Sequence, residues 1–179
     1  MRRRFAEGTL AREHRPPARA DDRHELDDRG LADLARVSTS TLIHRLLEPQ
    51  HVAIRANLTD LRALADRLAA RDRSPVLRRA ANMLDELHEV MSEQFEHEER
   101  AVFPCLEAGA APIHVLGDLH DRHDDVADRL GRLALLTEEL PAATADPDVA
   151  ALRAGFRTLA ALAGGHHALE RDALLTRFS

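Results

Sequence analysis

The sequence has few aromatic residues and no long apolar run. Trp and Tyr are absent, and aromatic residues make up only 3% of the 179 residues. Stacking surfaces for single-stranded nucleic acid depend on such residues, and the net charge of -6 disfavours phosphate-rich partners, so we expect no nucleic-acid partner. No stretch reaches the roughly 18 apolar residues of a membrane span, so we expect a soluble protein without membrane association.

Cysteine is almost absent as well. The single cysteine, Cys105, cannot form an internal disulfide, and the first residues lack the apolar stretch of a signal peptide. We therefore expect a cytoplasmic protein. The shortage of thiolates also argues against an iron–sulfur cluster.

Leu and Ala, which favour helices, are abundant, and 31% of the residues are charged. Apolar residues recur at helical spacing in four segments, at about residues 39–70, 74–109, 112–140 and 146–179. Helix-breaking residues separate the segments. Ser74 and Asp146 each precede a proline and are predicted helix N-caps. Short joints between long amphipathic helices predict an all-α fold, an up-down-up-down four-helix bundle.

The first part of the chain differs from the rest. Residues 1–37 are mainly Arg, Asp, Glu, Ala and Pro, with nearly balanced charges and little apolar periodicity. We predict a mobile N-terminal arm over residues 1–37 and the helical bundle over residues 38–179.

Prolines and glycines also fall inside the predicted helices. Pro49 lacks an N–H group and crowds the preceding turn, so it should kink the first helix or mark its true start. Pro104 should distort only the last turn of the second helix. Gly164 and Gly165 either weaken the fourth helix or let another backbone come close.

The informative residues are polar groups on the apolar faces of the helices. In the third helix, for example, a histidine lies between the apolar residues Leu116 and Ala127. The residues placed in this way are His51, Gln94, Glu98, His120, His166 and Glu170. Counted from the predicted turns at 1.5 Å of rise per residue, they all fall in one layer of an antiparallel bundle.

A layer of this kind needs compensation. Burying a neutral polar group without a partner costs roughly 2–7 kcal/mol, and an ionised carboxylate costs more. A pair of cations would supply it, because carboxylates can bridge two ions while imidazoles complete the coordination. Mixed nitrogen and oxygen ligands suit iron, then manganese or zinc. The alternative is a buried hydrogen-bonded network without a metal.

At this point the residues resemble the hemerythrin-like (HHE) domain family, most closely its iron–sulfur cluster repair di-iron proteins. The resemblance covers about residues 42–175. It rests on His51 in LLEPQHVAIRANL, on Glu98, Glu99, Phe103 and Pro104 in QFEHEERAVFP, on Pro112, Ile113 and His120, and on His166 and Glu170.

The resemblance implies a di-iron centre. Glu98 and Glu170 would bridge the two ions, and His51, His120 and His166 would be terminal ligands. The function implied is binding of, or reaction with, O2, NO or peroxide, in iron–sulfur repair or in an oxidative or nitrosative stress response. The protein partner is unknown.

Two departures from the family pattern matter. Gln94 occupies the position of the helix-two histidine, and an amide is a poorer iron ligand than imidazole. The sixth ligand position therefore falls to Gln94 or His97, and one ion would be weakly held. The family's N-terminal domain with paired cysteines also has no counterpart in the arm.

Several interpretations stay open at this stage. His44 and His123 share the faces of the ligands and could orient a ligand or substitute for one. The alternatives to a reactive centre are an O2 or NO carrier or sensor without turnover, and a helical interaction module that has lost its metal.

Overall fold

The computed structural model describes residues 33–110, 113–140 and 146–178. They form four long helices and no strand, which confirms the predicted all-α class. Helices α1, α2 and α4 each contain a wider π turn as their middle segment, and α4 closes with a 3-10 turn. The segments are Thr39–Leu42, Ile43–Leu47 and Glu48–Arg71 in α1; Pro75–His97, Glu98–Val102 and Phe103–Glu107 in α2; Ile113–Glu139 in α3; and Pro147–Leu169, Glu170–Leu174 and Leu175–Arg177 in α4.

The helices pack as a ring. Helix α1 lies against α2 and α4, and α3 lies against the same two helices. Only residues 72–74 join α1 to α2, and so short a joint makes consecutive helices antiparallel. The four-helix bundle predicted from the sequence is therefore confirmed.

The chain just before α1 is held by the end of α4. The Arg177 guanidinium donates hydrogen bonds to the carbonyl oxygens of Val37 and Leu34, each at 2.8 Å. These contacts involve the last part of the predicted arm. Residues 1–32, which make up most of that arm, lie outside the described residues.

Ser74 and Asp146 are the N-cap residues of α2 and α4, as predicted, but only Asp146 caps its helix with its side chain. The Asp146 side chain accepts a hydrogen bond of 2.9 Å from the Asp148 backbone N–H at the start of α4. Ser74 precedes α2 as expected, but its side chain makes no capping bond. The Asp72 carboxylate instead accepts from the Ser74 backbone N–H at 3.1 Å.

The predicted inward faces of α1, α2 and α4 are largely confirmed. The buried members are Ile43, Leu47, Ile54, Leu58, Leu61, Ala65 and Leu68 in α1, Leu77, Leu84, Leu87, Met91 and Val102 in α2, and Leu152, Phe156, Leu159 and Ala163 in α4. Cys105, also expected inside, is half-buried. Among the described residues, no helix combines the length and apolar character that a bilayer crossing needs.

The inward face of α3 was predicted only in part. Its buried residues are Leu119, Val126, Leu133 and Leu136. Leu116, expected inside, is partly buried and packs against the core, whereas Ala127, also expected inside, is exposed. The helix is therefore rotated relative to the prediction, because burying Leu and Val removes more apolar surface from water than burying Ala.

The apolar core has two parts. One cluster contains Ile54, Phe95 and Val126 and extends towards the α1–α2 joint. The other contains Leu47 and Val102 and lies near the opposite end of the bundle. A polar layer fills the space between the two clusters. On α1, for example, Leu47 belongs to one cluster, Ile54 belongs to the other, and His51 lies between them.

Two of the π turns explain how proline fits inside a helix. The backbone N–H of Glu48 bonds to Ile43 O, and that of Phe103 bonds to Glu98 O, each five residues back. A proline follows directly in both helices. The wider turn moves the carbonyl that a proline ring would otherwise strike, so Pro49 lies within a continuous α1 and does not mark its start.

A close approach of two helices occurs at Gly155, not at the predicted pair. A Cβ atom at Gly155 would collide with the Leu61 side chain of α1. A Cβ atom at Gly164 or Gly165 would meet nothing within 4 Å. A larger residue at position 155 would therefore require the Leu61 side chain to move.

Candidate metal centre

Polar side chains from all four helices meet between the two apolar clusters. His51, Glu98, His166 and Glu170 are completely buried. The His123 side chain joins them from α3 and is 12% exposed. The helices therefore bring three imidazoles and two carboxylates into one layer, and in this layer His123 stands in place of the predicted His120.

The first group of donor atoms comes from α1, α2 and α4. His51 Nε2 lies 2.9 Å from Glu98 Oε2 and 3.2 Å from His166 Nε2. His166 Nε2 lies 3.6 Å from the same Glu98 oxygen. These three residues form one group that could hold a cation.

The second group shares Glu98 with the first. His123 Nε2 lies 2.9 Å from Glu170 Oε2 and 3.7 Å from Glu98 Oε1. Glu98, His123 and Glu170 form the second group that could hold a cation. The two oxygens of Glu98 therefore face different groups, which is the arrangement of a bridging carboxylate.

Most of these atoms are not satisfied by hydrogen bonds within the described structure. Glu98 Oε2, His123 Nε2 and both carboxylate oxygens of Glu170 are buried, and although two of these oxygens lie 2.9 Å from imidazole nitrogens, none of the four atoms makes a hydrogen bond of regular geometry. Native proteins rarely leave buried polar atoms in this state. Several such atoms facing one another indicate ligands for a cation.

The spacing of the donor atoms fits the same interpretation. Two atoms bound to one cation at about 2.1 Å lie about 3.0 Å apart at a right angle and about 3.4 Å apart at the tetrahedral angle. The contacts within the two groups span 2.9 to 3.7 Å. Imidazole nitrogens and carboxylate oxygens, with no thiolate among them, suit iron, manganese or zinc.

The two carboxylates of the layer lie at π turns. Glu98 is the first residue of the π turn in α2, and Glu170 is the first residue of the π turn in α4. The wider turn changes the direction of the helix surface locally, and π turns are frequent at functional sites. Sequence reasoning predicted both carboxylates as site residues but not this backbone feature.

His51 is held in place on its other side. Its Nδ1 atom lies 2.7 Å from Glu99 Oε1, and Arg55 donates to the Glu99 carboxylate at 2.9 and 3.4 Å. The His51 ring also stacks on Phe95 with centroids 4.0 Å apart. A carboxylate on the far nitrogen fixes the tautomer and orientation of a ligand imidazole.

Sequence reasoning quoted Glu99 only as part of a motif and did not use Arg55. The available signal was spacing: Arg55 lies four residues after His51 and therefore on the same face of α1.

The electrostatics of the layer favour charged forms despite burial. Burial raises the pKa of Glu98, but the imidazoles of His123, His166 and His51 outweigh this effect and hold the pKa well below its usual range. Burial likewise lowers the pKa of His123, while Glu170 and Glu98 raise it to about 9 overall. In the absence of a cation, protons on imidazole therefore balance the carboxylates.

His167, which the sequence places among surface or capping residues, lies beside the second group instead. Its ring stacks on His123 with centroids 4.1 Å apart. Burial and the neighbouring imidazoles of His123 and His166 lower the pKa of His167 to about 3. It is therefore a neutral imidazole, available as a hydrogen-bond acceptor.

Gln94, the doubtful sixth ligand, is buried in the layer but acts as a donor. Its Nε2 atom donates to Glu98 Oε1 at 2.7 Å and lies 3.3 Å from His167 Nε2. Its carbonyl oxygen is buried without a hydrogen bond. His97, the other candidate for this position, is in neither group of donor atoms.

The predicted position of His120 in the layer is wrong. Its side chain is 77% exposed, and its nearest ionic partner is Asp124 at 3.7 Å on the same helix. The physical reason is the rotation of α3, which turns Leu119 and Val126 inward and carries His123 with them. The sequence analysis named His123 only as a possible substitute, and that alternative describes its position.

His44 does not contribute to the layer either. Its side chain is 52% exposed and lies between Glu48 and Glu107, each at 3.0 Å. These carboxylates raise its pKa. His44 therefore links the start of α1 to the end of α2 at the surface.

Comparison with known proteins agrees with this geometry. Residues 42–178 match the Hemerythrin HHE cation binding domain, and the match spans all four helices. Comparison with curated proteins gives no match. Because the match covers most of the chain and the buried His and Glu residues lie within it, this protein belongs to the hemerythrin HHE cation-binding domain family.

Proposed function

We propose that the polar layer holds two cations, with iron preferred, and that this centre binds or reacts with O2, NO or peroxide. The observation that carries the proposal is the meeting of His51, Glu98, His123, His166 and Glu170 with several donor atoms left without hydrogen bonds. Membership of a cation-binding family supports it independently.

Iron is supported by the donor set of the first group. Two imidazoles and one carboxylate, from His51, His166 and Glu98, are the ligands typical of non-haem iron(II) sites with open positions. Manganese and zinc accept similar ligands, so metal content is the first property to measure. When bound, iron would supply the redox chemistry and the open positions for a small ligand.

The chain's own residues would orient the centre and keep bulk water away. Glu99 and Arg55 fix the His51 ring, and Phe95 covers one of its faces. Apolar clusters close the layer from both ends of the bundle. A layer enclosed in this way favours a diatomic molecule or peroxide over a larger substrate.

Metal analysis tests the proposal directly. Protein from cells supplied with iron and purified without chelators should contain iron, and His166→Ala should lose most of it. His120→Ala is the matched control, because its imidazole lies at the surface, and it should retain the wild-type content. Equal iron content in His166→Ala and wild type would refute the assignment, and a folded wild type without metal would favour the interaction module.

The reaction itself separates the remaining functions. Rapid mixing of the iron-loaded protein with O2 or NO should give a stable absorbing adduct if the protein carries or senses the gas. Consumption of peroxide or O2 over many turnovers would indicate an enzyme. Transfer of iron to a cluster-free iron–sulfur protein would support the repair role that the sequence resemblance implies.

A further inference from the structure

We propose that the two cation positions are unequal because of Gln94. The position formed by His51, His166 and Glu98 would hold one iron stably, and the position formed by Glu98, His123 and Glu170 would exchange its cation. This inference rests on the proposed function, since it concerns how the same layer holds its metals.

The division of the Glu98 carboxylate is the first step. Glu98 Oε2 faces His51 at 2.9 Å and His166 at 3.6 Å. Glu98 Oε1 faces His123 at 3.7 Å. Each position therefore depends on a different oxygen of one carboxylate.

Gln94 contacts only one of these oxygens. Its amide nitrogen donates to Glu98 Oε1 at 2.7 Å, whereas Glu98 Oε2 contacts only the imidazoles of the first position, the nearer at 2.9 Å, and receives no amide donor. A hydrogen bond to a carboxylate oxygen uses lone-pair density that a cation would otherwise bind. Gln94 thus weakens Glu98 as a ligand on the side of the second position.

The orientation of Gln94 is fixed by Glu98, because an ionised carboxylate can only accept a hydrogen bond. The same amide nitrogen lies 3.3 Å from His167 Nε2, which accepts its second hydrogen in the tautomer with the proton on Nδ1. Turning the amide over would place its carbonyl oxygen against the Glu98 carboxylate and lose the contact of 2.7 Å. The amide oxygen is therefore kept away from Glu98 Oε1.

The surroundings of the two positions differ in the same direction. His51 has a carboxylate on its far nitrogen, Glu99 Oε1 at 2.7 Å, and it is completely buried. The ion pairs of His123 within the described residues, with Glu170 and Glu98, both involve its Nε2 atom, so neither supports its far nitrogen. Loss of a carboxylate that orients a ligand typically weakens metal binding about 10- to 100-fold, so this difference alone favours the first position.

The test measures iron release from the full-length protein. Metal-free protein is loaded anaerobically with two equivalents of iron(II), and a colorimetric iron(II) chelator is added in excess. We expect two phases of one equivalent each, with rates at least about tenfold apart. His123→Asn should lose the fast phase and keep the slow one, and His51→Asn should lose the slow phase.

Substitutions at Gln94 identify the cause. Gln94→Leu removes the competing hydrogen bond and should slow the fast phase, and Gln94→His should slow it further by offering the second position another imidazole beside His123. His120→Asn is the matched surface control and should release iron as wild type does. Circular dichroism before loading shows whether each variant is folded. If the Gln94 variants are not folded, His123→Asn still shows whether the two positions release iron at different rates.

The outcomes separate this inference from the proposed function. Two equivalents released at one rate, or Gln94 variants that leave the fast phase unchanged, would overturn the unequal positions while the metal centre stands. No iron bound by the folded wild type would overturn both.

Discussion

The metal-free protein should lose stability as the pH rises from neutral to alkaline. The cause is His123, whose pKa is raised from 6.5 to about 9 by Glu170 and Glu98 although burial opposes this. Between these pH values the folded chain holds a proton on His123 that the unfolded chain has released. A raised pKa contributes its full stability below pH 6.5, and that contribution is lost as the pH rises towards 9.

The expected size follows from the shift. One pKa unit corresponds to about 1.36 kcal/mol, so a rise from 6.5 to about 9 gives about 3 kcal/mol between pH 6.5 and 9. The side chain is only 12% exposed, so solvent screens its contacts with the carboxylates little. His51, whose pKa is also raised by Glu98 despite its burial, acts in the same direction. A domain stable by about 5–15 kcal/mol would show the change clearly.

Urea unfolding of chelator-stripped protein at pH 6.5, 7.5 and 8.5 measures the effect. The midpoint should fall steadily with pH in the wild type and should change much less in His123→Asn. Protein loaded with iron(II) should not show the decline, because a metal ligand imidazole carries no proton in the folded state. A stripped wild type whose stability is constant or rises over this range would refute the charge balance described for the layer.

Three other perturbations have defined outcomes. Glu99→Gln replaces the carboxylate that contacts Nδ1 of His51 by a neutral amide. The variant should bind iron about 10- to 100-fold more weakly in equilibrium dialysis, with little change in helicity. Gly155→Val should lower the free energy of unfolding by about 1–3 kcal/mol, because the new side chain collides with Leu61. Gly131→Ala, which has open space around it, should raise it by up to about 1 kcal/mol. Equal effects of the two variants in thermal unfolding would contradict the packing. Leu84→Ala should cost about 2–5 kcal/mol by denaturant unfolding, and a smaller loss would mean that the core collapses around the cavity.

Most of the fold could be predicted from the sequence because large apolar residues repeat clearly in three of the helices. In α1, for example, Leu47, Ile54 and Leu61 recur every seven residues and all are buried. His51 falls on the same face, so its inward direction follows from the same pattern. The position of the layer along the bundle also followed, because a helix advances by a fixed rise per residue.

The third helix shows where this reasoning fails. Its sequence offers two overlapping apolar faces, and the one chosen contained Ala127 and His120. The other contains Leu119 and Val126 seven residues apart, and it leads to His123. The two histidines are three residues apart, only about 60° around the helix, so periodicity separates them weakly. Weighing the residues by size, and not only by apolar character, would have selected the buried face.

Contacts between side chains of different helices lay beyond the sequence pattern for a different reason. Gln94 has two partners, Glu98 one turn away and His167 on α4, and the Glu98 carboxylate orients the amide because it can only accept a hydrogen bond. Gln94 therefore acts as more than a doubtful ligand. It places a hydrogen-bond donor against the carboxylate that the two proposed cation positions would share, and it leaves the other oxygen of Glu98 facing His51 and His166.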